Sequence, residues 1–321
     1  MARNLWLPIT GGSVEEIISA HADPLALLES GAVPALVVRR ALAAPALTTV
    51  LSRLQGQPWQ RRTASYKTLG VDLGAYLGRY PHPLDLLRAE VHSTCTKTTD
   101  LQRHHANATA AFDLAAKRAG LYAPVEALHR TLRALLAARS AAAEADFLPA
   151  PGVFRMHRPG NRFAPHADTI HAAEWSSACG GKRPRRGVAP NFRPLRRLRH
   201  QLSALVSLQQ PRSGGELRLF STNWEALMST CNQRGVAYDV GIAFPHWPRA
   251  AAMLHPREYN LTVTPGDVFI FNSNRVHEVL PVVGQQPRLV LGSFVGYSHS
   301  PREEMRMCLE DREGGAIERG R

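Results

Sequence analysis

Two separate segments of the chain carry side chains of the types that hold metal ions. His166 and Asp168 stand two residues apart in the first segment. On an extended strand, residues at this spacing point to the same face, with Cα atoms about 6–7 Å apart. His277 opens an apolar stretch 109 residues after Asp168, so only the fold can bring it to the other two. His166 and Asp168 can therefore hold one metal ion, and His277 is a candidate third ligand.

The composition of this set favours iron(II). Two histidines and one carboxylate on one face of the metal form the facial triad of non-haem iron(II) oxygenases. Half of the octahedral positions then stay open, for a chelating co-substrate and for O2. Arg288 follows His277 by eleven residues. Since a guanidinium makes a doubly hydrogen-bonded clamp for a carboxylate, Arg288 is suited to hold the distal carboxylate of a keto-diacid.

These segments, in this order, resemble the prolyl-4-hydroxylase-like branch of the iron(II)- and 2-oxoglutarate-dependent oxygenases. The similarity covers residues 151–298 and includes the Gly-Gly-Glu turn within 213–217 and the Pro-Gly-Asp turn at 265–267. It implies a double-stranded β-helix, or jelly roll, in which Arg288 holds 2-oxoglutarate and O2 is the second co-substrate. It also implies three Fe(II) ligands: His166, Asp168 and His277.

The strand before the His-x-Asp motif departs from the family pattern. Many relatives carry a tyrosine there, close to the co-substrate, whereas this chain has Phe154 to Arg158. We expect Arg158 to take over that polar role in cofactor binding, or to contact the substrate.

Asp168 bears on the kind of reaction. The related halogenases replace the iron-binding carboxylate with a small residue, which opens a coordination position for chloride. Here Asp168 fills that position. The resemblance therefore favours hydroxylation of a C–H bond, with release of succinate and CO2, over halogenation.

The first 150 residues are predicted to form a mainly helical support region packed around the core. Helical patterns begin near residue 24 and after Pro45, and Ala35–Arg39 reads as a strand. A longer helix is predicted from Pro124 to about Ala143, because proline is favoured in the first turn and leucines follow at helical spacing.

Residues 151–298 predict a mainly β catalytic core, with insertions near 171–200 and 221–258, followed by a charged tail at 299–321. Glycine and proline turn signals separate short apolar runs throughout this region. Seven segments suit strands: Val153–Arg158, Ser203–Leu208, Glu216–Phe220, Leu261–Val263, Asp267–Asn272, His277–Val283 and Arg288–Val295.

The positive charge of the chain is concentrated in one segment. The formal net charge is +13, and residues 182–199 hold eight Lys or Arg side chains and no acid. Such a segment can attract phosphates, anionic substrates or an acidic partner. It equally fits a solvated loop. An oxygenase that uses this segment to bind a nucleic acid or a protein stays open as an alternative.

Composition excludes several other classes of protein. The chain has 321 residues, 44% of them hydrophobic and 20% charged, which is ordinary globular usage. No stretch approaches the roughly 20 apolar residues of a membrane span. The four cysteines are scattered, which argues against a disulfide framework. We therefore expect a cytoplasmic protein. The family resemblance implies a hydroxylase, and because the sequence has no peptide-recognition repeat, membrane segment or recognised nucleic-acid module, we expect its substrate to be a small polar metabolite, an amino acid or natural-product intermediate. A non-catalytic jelly-roll binding protein is the alternative outside the enzymes.

Overall fold

The computed structural model describes residues 5–57, 59–61, 67–69, 110, 112–139, 148–149, 152–168, 200–227, 229 and 247–297. The basic segment 182–199 and the tail at 299–321 lie outside the described residues. The helices are α1 (Val14–Ala20), α2 (Pro24–Ser30), α3 (Ala44–Gln55), α4 (Tyr122–Arg139) and α5 (Trp247–Leu254). Residues 112–118 are also helical.

Fifteen strands are assigned within the described residues. They are β1 (Ile9–Gly11), β2 (Leu36–Val38), β3 (Trp59–Arg61), β4 (Lys67–Leu69), β5 (Leu148–Pro149), β6 (Val153–His157), β7 (Phe163–His166), β8 (His200–Gln209), β9 (Ser213–Gly214), β10 (Leu217–Asn223), β11 (Glu258–Leu261), β12 (Val268–Asn272), β13 (Arg275–Val279), β14 (Val282–Val283) and β15 (Arg288–Tyr297).

The strands form two main sheets. The large sheet has the order β1-β2-β12-β8-β15-β6-β4-β3, with β5 also paired to β15. The small sheet has the order β11-β10-β13-β7, and β14 and β9 form a separate pair. Neighbouring strands are antiparallel except for β1 and β2. Strands that are distant in the chain thus become neighbours, which brings the predicted ligand segments together.

Three apolar clusters hold the layers in place. One packs helices α1 to α4 on the outer face of the large sheet, with Leu28 and Leu132 as fully buried examples. A second fills the space between the sheets and includes Phe269 and Leu219. The third places α5 against the outer face of the small sheet through Trp247 and Phe220. Hydrophobic burial therefore explains a helix–sheet–sheet–helix stack.

The Pro-Gly-Asp turn ties the N-terminal region to the core. Asp267 is 0% exposed and accepts hydrogen bonds from Arg39 Nη1 at 2.6 Å, Arg40 N–H at 3.0 Å and Thr264 N–H at 2.7 Å. Gly266 has φ +94°, and a Cβ there would lie 2.6 Å from the Leu42 carbonyl oxygen. This turn therefore requires glycine and an acid for structural reasons.

The predicted fold class is confirmed, and the N-terminal region holds more than helices. The expected strand at Ala35–Arg39 appears as β2, and β1 and β2 extend the large sheet beside β12. β3 and β4 extend its other end beside β6. The division of the chain at residue 150 stays a prediction. Within the described residues, no helix is both long and apolar enough to cross a membrane.

Candidate metal centre

The structure brings His166, Asp168 and His277 together. Asp168 Oδ2 lies 3.8 Å from His166 Nε2 and 3.5 Å from His277 Nε2. The two imidazole rings are 4.1 Å apart between centroids. One ligand atom from each residue falls within 4.8 Å of the others. Two imidazole nitrogens and one carboxylate oxygen therefore converge on a space that a single ion can fill.

Both histidines are oriented so that Nε2 faces this space. His166 Nδ1 lies 2.8 Å from the carbonyl oxygen of Ala164, and His277 Nδ1 lies 2.8 Å from that of Arg275. Because a carbonyl oxygen only accepts hydrogen bonds, each Nδ1 carries the proton and each Nε2 presents its lone pair. Such a fixed tautomer is typical of metal-binding histidines.

Burial keeps His166 in its neutral form. Desolvation, followed by the charge of neighbouring His277, lowers the pKa of His166 to about 3. Metal ions bind the neutral imidazole, so no proton has to be displaced from His166 at neutral pH. The ring also packs edge-on against Phe163, at 4.1 Å between centroids, which restricts its rotation.

Strand register places the ligands. β7 pairs antiparallel with β13, and His166 lies directly opposite His277. Asp168 follows the end of β7, where its backbone N–H donates to the Ser273 carbonyl at 2.9 Å. Arg275, two residues before His277, donates to the carbonyls of Ser221 and Ser30, the latter at 3.1 Å. These bonds anchor β13 to β10 and to the end of α2.

The centre opens into a cavity between the two sheets, and Arg288 lines it. Arg288 is 2% exposed, and its Nε has no hydrogen-bond partner among the described residues. Burial, together with the positive charge of Arg155, lowers the pKa of Arg288 to about 10. The side chain remains a cation at neutral pH, in a position where an anionic ligand would satisfy it. The cavity therefore suits a ligand that carries a carboxylate.

The structure places Arg158 away from this cavity. It is exposed at the end of β6, beyond His157. The side chains of β6 that line the cavity are Arg155 and His157. Side chains alternate along a strand, and Phe154 and Met156 pack toward the helices. The alternation places Arg155 and His157 on one face of β6, and the pairing of β6 with β15 determines that this face meets the cavity.

The chain matches the family model described as carrier-protein-independent halogenase WelO5 over residues 13–305. The chain belongs to this family. The predicted membership of the iron(II)- and 2-oxoglutarate-dependent oxygenases is thereby confirmed at the family level, together with Fe(II), 2-oxoglutarate and O2 as cofactor and co-substrates. No curated protein sequence matches the chain significantly.

Several solved structures are similar in fold. One is the non-haem α-ketoglutarate-dependent epimerase SnoN from nogalamycin biosynthesis, at 14% identity, 85% and 83% coverage of this and that chain, and TM-score 0.40. Another is a 2OG-Fe(II) oxygenase family oxidoreductase from Burkholderia pseudomallei, at 11% identity. The match covers 90% of this chain and 94% of that chain, with a TM-score of 0.41. A third is HygX from Streptomyces hygroscopicus with nickel and 2-oxoglutarate bound, at 11% identity. The match covers 85% of each chain, with a TM-score of 0.43.

Proposed function

We propose that the protein is a hydroxylase that oxidises a C–H bond of a small polar metabolite, an amino acid or natural-product intermediate. His166, Asp168 and His277 would hold Fe(II), and Arg288 would hold the distal carboxylate of 2-oxoglutarate. When bound, iron with 2-oxoglutarate and O2 supplies the oxidising power, with succinate and CO2 as co-products. The convergence of three ligand atoms beside a buried guanidinium supports this assignment.

The residues of the chain have three tasks in this reaction. The Nδ1 hydrogen bonds of His166 and His277 fix the ligand rings before iron arrives. The apolar lining, which includes Phe271 and Val290, excludes water from the reacting ligand. Arg288 would hold and orient the distal carboxylate of the keto-diacid, because a guanidinium recognises a carboxylate through two parallel hydrogen bonds.

Asp168 is the observation that carries the choice of hydroxylation. Its carboxylate lies 3.5 Å and 3.8 Å from the two ligand nitrogens, where it would occupy one coordination position. The family match favours a second candidate function, halogenation. A halogenase of this type needs that position for chloride. With the carboxylate in place, oxygen rather than chlorine is expected to be transferred to the substrate.

A chloride competition experiment separates the two reactions. The wild-type protein, loaded with Fe(II), would be incubated with 2-oxoglutarate, O2 and a library of small polar metabolites in high chloride. Mass spectrometry should detect products with one added oxygen and no chlorinated product. Asp168→Gly should lose hydroxylation, and His277→Ala should lose iron binding and succinate formation. A chlorinated product from the wild type would refute the hydroxylase assignment.

The remaining expectations belong to the proposal as well. A small-molecule substrate fits a cavity lined mainly by β-strand side chains of the two sheets. A nucleic acid or an acidic partner would have to be recognised by residues 182–199, outside the described part of the chain. A cytoplasmic location stays a prediction from the sequence.

A further inference from the structure

A second arginine, Arg155, lines the same cavity as Arg288. It lies in the middle of β6, and its neighbour two residues on, His157, also faces the cavity. Among the described residues that line the cavity, Asp168 is the only acid, and it belongs to the candidate metal centre. Arginine side chains in a largely enclosed site are typical of the recognition of planar anions.

The two guanidinium groups serve different parts of the cavity. In the pairing of β6 with β15, Arg155 lies opposite Val290, about 7 Å along the strand from Arg288. Arg155 Nη1 reaches to 3.8 Å from the place that a Cβ on Gly292 would take, farther along β15. Arg288 instead leans toward the Gly214–Gly215 turn, where its Cδ lies 3.4 Å from a Cβ position on Gly215. The two side chains therefore lie against different backbone segments.

The positive charge of Arg155 affects residues at both ends of the cavity. It contributes to the lowered pKa of Arg288 and, as the smallest of several causes, to that of His166. Arg155 thus lies within electrostatic range of both the proposed 2-oxoglutarate clamp and the candidate metal centre. A cation in this position would favour the binding of an anion that lies between them.

We propose that Arg155 forms a second carboxylate-binding subsite, distinct from the Arg288 clamp and closer to the part of the ligand that reacts. This inference rests on the proposed function. The bound carboxylate belongs either to the metal-chelating end of 2-oxoglutarate or to the primary substrate. In the second case, the substrates of this enzyme are carboxylic acids.

Three variants test the role of Arg155. Arg155→Gln removes the charge and keeps hydrogen-bonding capacity, and Arg155→Lys restores the charge. Arg158→Gln is the matched control, because it removes the same kind of side chain from an exposed position just after β6, outside the cavity lining. Melting temperatures and circular dichroism would establish that all three variants fold.

The first measurement is the affinity of the Fe(II)-loaded proteins for 2-oxoglutarate under anaerobic conditions. The charge-transfer absorption band reports the binding. If Arg155 binds the metal-chelating end of 2-oxoglutarate, Arg155→Gln should weaken this binding about 10- to 100-fold. Arg155→Lys should recover part of the loss, and Arg158→Gln should bind as the wild type does.

The second measurement uses proteins saturated with Fe(II) and 2-oxoglutarate, with small carboxylic acids and their matched primary amides as probes. Stimulated succinate formation and perturbation of the absorption band report binding. If Arg155 binds the substrate, the wild type and Arg158→Gln should prefer acids to amides at least about tenfold. Arg155→Gln should lose that preference.

Either result supports the subsite and identifies its ligand. The inference is overturned if Arg155→Gln binds 2-oxoglutarate with wild-type affinity and keeps the wild-type preference between acids and amides. The proposed function survives such a result as long as the wild type and Arg158→Gln form the charge-transfer band with 2-oxoglutarate in the same assay. Absence of the band in the wild type would instead refute the proposed function, and this inference with it.

Discussion

Replacement of Arg288 by methionine tests the proposed binding of 2-oxoglutarate directly. Arg288 is 2% exposed and lines the cavity that contains the candidate metal centre. Methionine keeps an unbranched apolar side chain of similar length and removes the charge. A change in the affinity for 2-oxoglutarate would then report the lost contact rather than a collapsed cavity.

The size of the effect follows from the burial of Arg288. Truncation of one partner of a buried, hydrogen-bonded charge pair costs about 2–5 kcal/mol. At about 1.4 kcal/mol for each factor of ten, the affinity should fall between about 30-fold and several thousand-fold. The loss should appear mainly in the KM for 2-oxoglutarate, because Arg288 would contact the end of the co-substrate that does not react.

A chemical double-mutant cycle isolates this contact. The second probe is 2-oxopentanoate, which keeps the keto-acid end of 2-oxoglutarate and lacks the distal carboxylate. The wild type should bind 2-oxoglutarate far more tightly than 2-oxopentanoate, whereas Arg288→Met should bind both equally weakly. If Arg288→Met keeps the wild-type preference, another side chain holds the distal carboxylate, and the assignment of Arg288 is refuted.

The stability of the unliganded protein provides an independent check. Burial lowers the pKa of Arg288, so a buried cation is unfavourable in the absence of an anion. The replacement of buried charges by apolar groups is often neutral or stabilising. The melting temperature of Arg288→Met should therefore not fall below that of the wild type, and the same concentration of 2-oxoglutarate should raise that of the wild type more. A large destabilisation by Arg288→Met would indicate a structural role for the guanidinium.

Two further predictions concern stability. Asp267→Ala should lower the free energy of unfolding by about 3 kcal/mol, since it leaves buried donors without an acceptor. Glu278→Ala, which breaks a more exposed pair with Arg218, should cost less than about 1 kcal/mol; equal losses in urea melts would contradict this reasoning. Burial lowers the pKa of His129 from 6.5 to about 4. As the pH drops through this range, the imidazole is protonated in the unfolded chain but not in the folded one, so the free energy of unfolding decreases. Relative to His129→Leu, the wild type should lose about 2 kcal/mol more between pH 7 and pH 5, and parallel curves would refute this.

The strand that carries Arg158 shows how local pattern and fold combine. The sequence predicts a strand at Val153–Arg158, and the structure has β6 at Val153–His157. Which face of that strand meets the cavity depends on its pairing with β15, where His157 lies opposite Arg288. Pairing between segments more than a hundred residues apart is set by the packing of the whole core. The spacing of residues within one segment therefore could not identify Arg155.

The ligand set could be predicted further than the cavity. The spacing of His166 and Asp168 is a local property of an extended chain, so the first two candidate ligands follow from the sequence alone. The arrival of His277 depends on the register of β7 and β13, which no local rule provides. Its prediction came from a family resemblance, and the structure places it directly opposite His166. The N-terminal strands β1, β3 and β4 were not predicted, because each is only three residues long and finds its partner at an edge of the large sheet.

In the proposed function, the choice of reaction depends on residue 168, whose backbone also helps to hold the loop after β7 in place. The backbone N–H of Asp168 donates a hydrogen bond to the Ser273 carbonyl and holds the loop after β7 in place. A glycine at residue 168 could make the same backbone hydrogen bond, so we expect Asp168→Gly to keep the loop after β7 in place. The two histidines would remain opposite each other on β7 and β13. Under the proposed function, a family described by halogenation would include a hydroxylase, and we propose that the side chain at residue 168 decides between the two reactions.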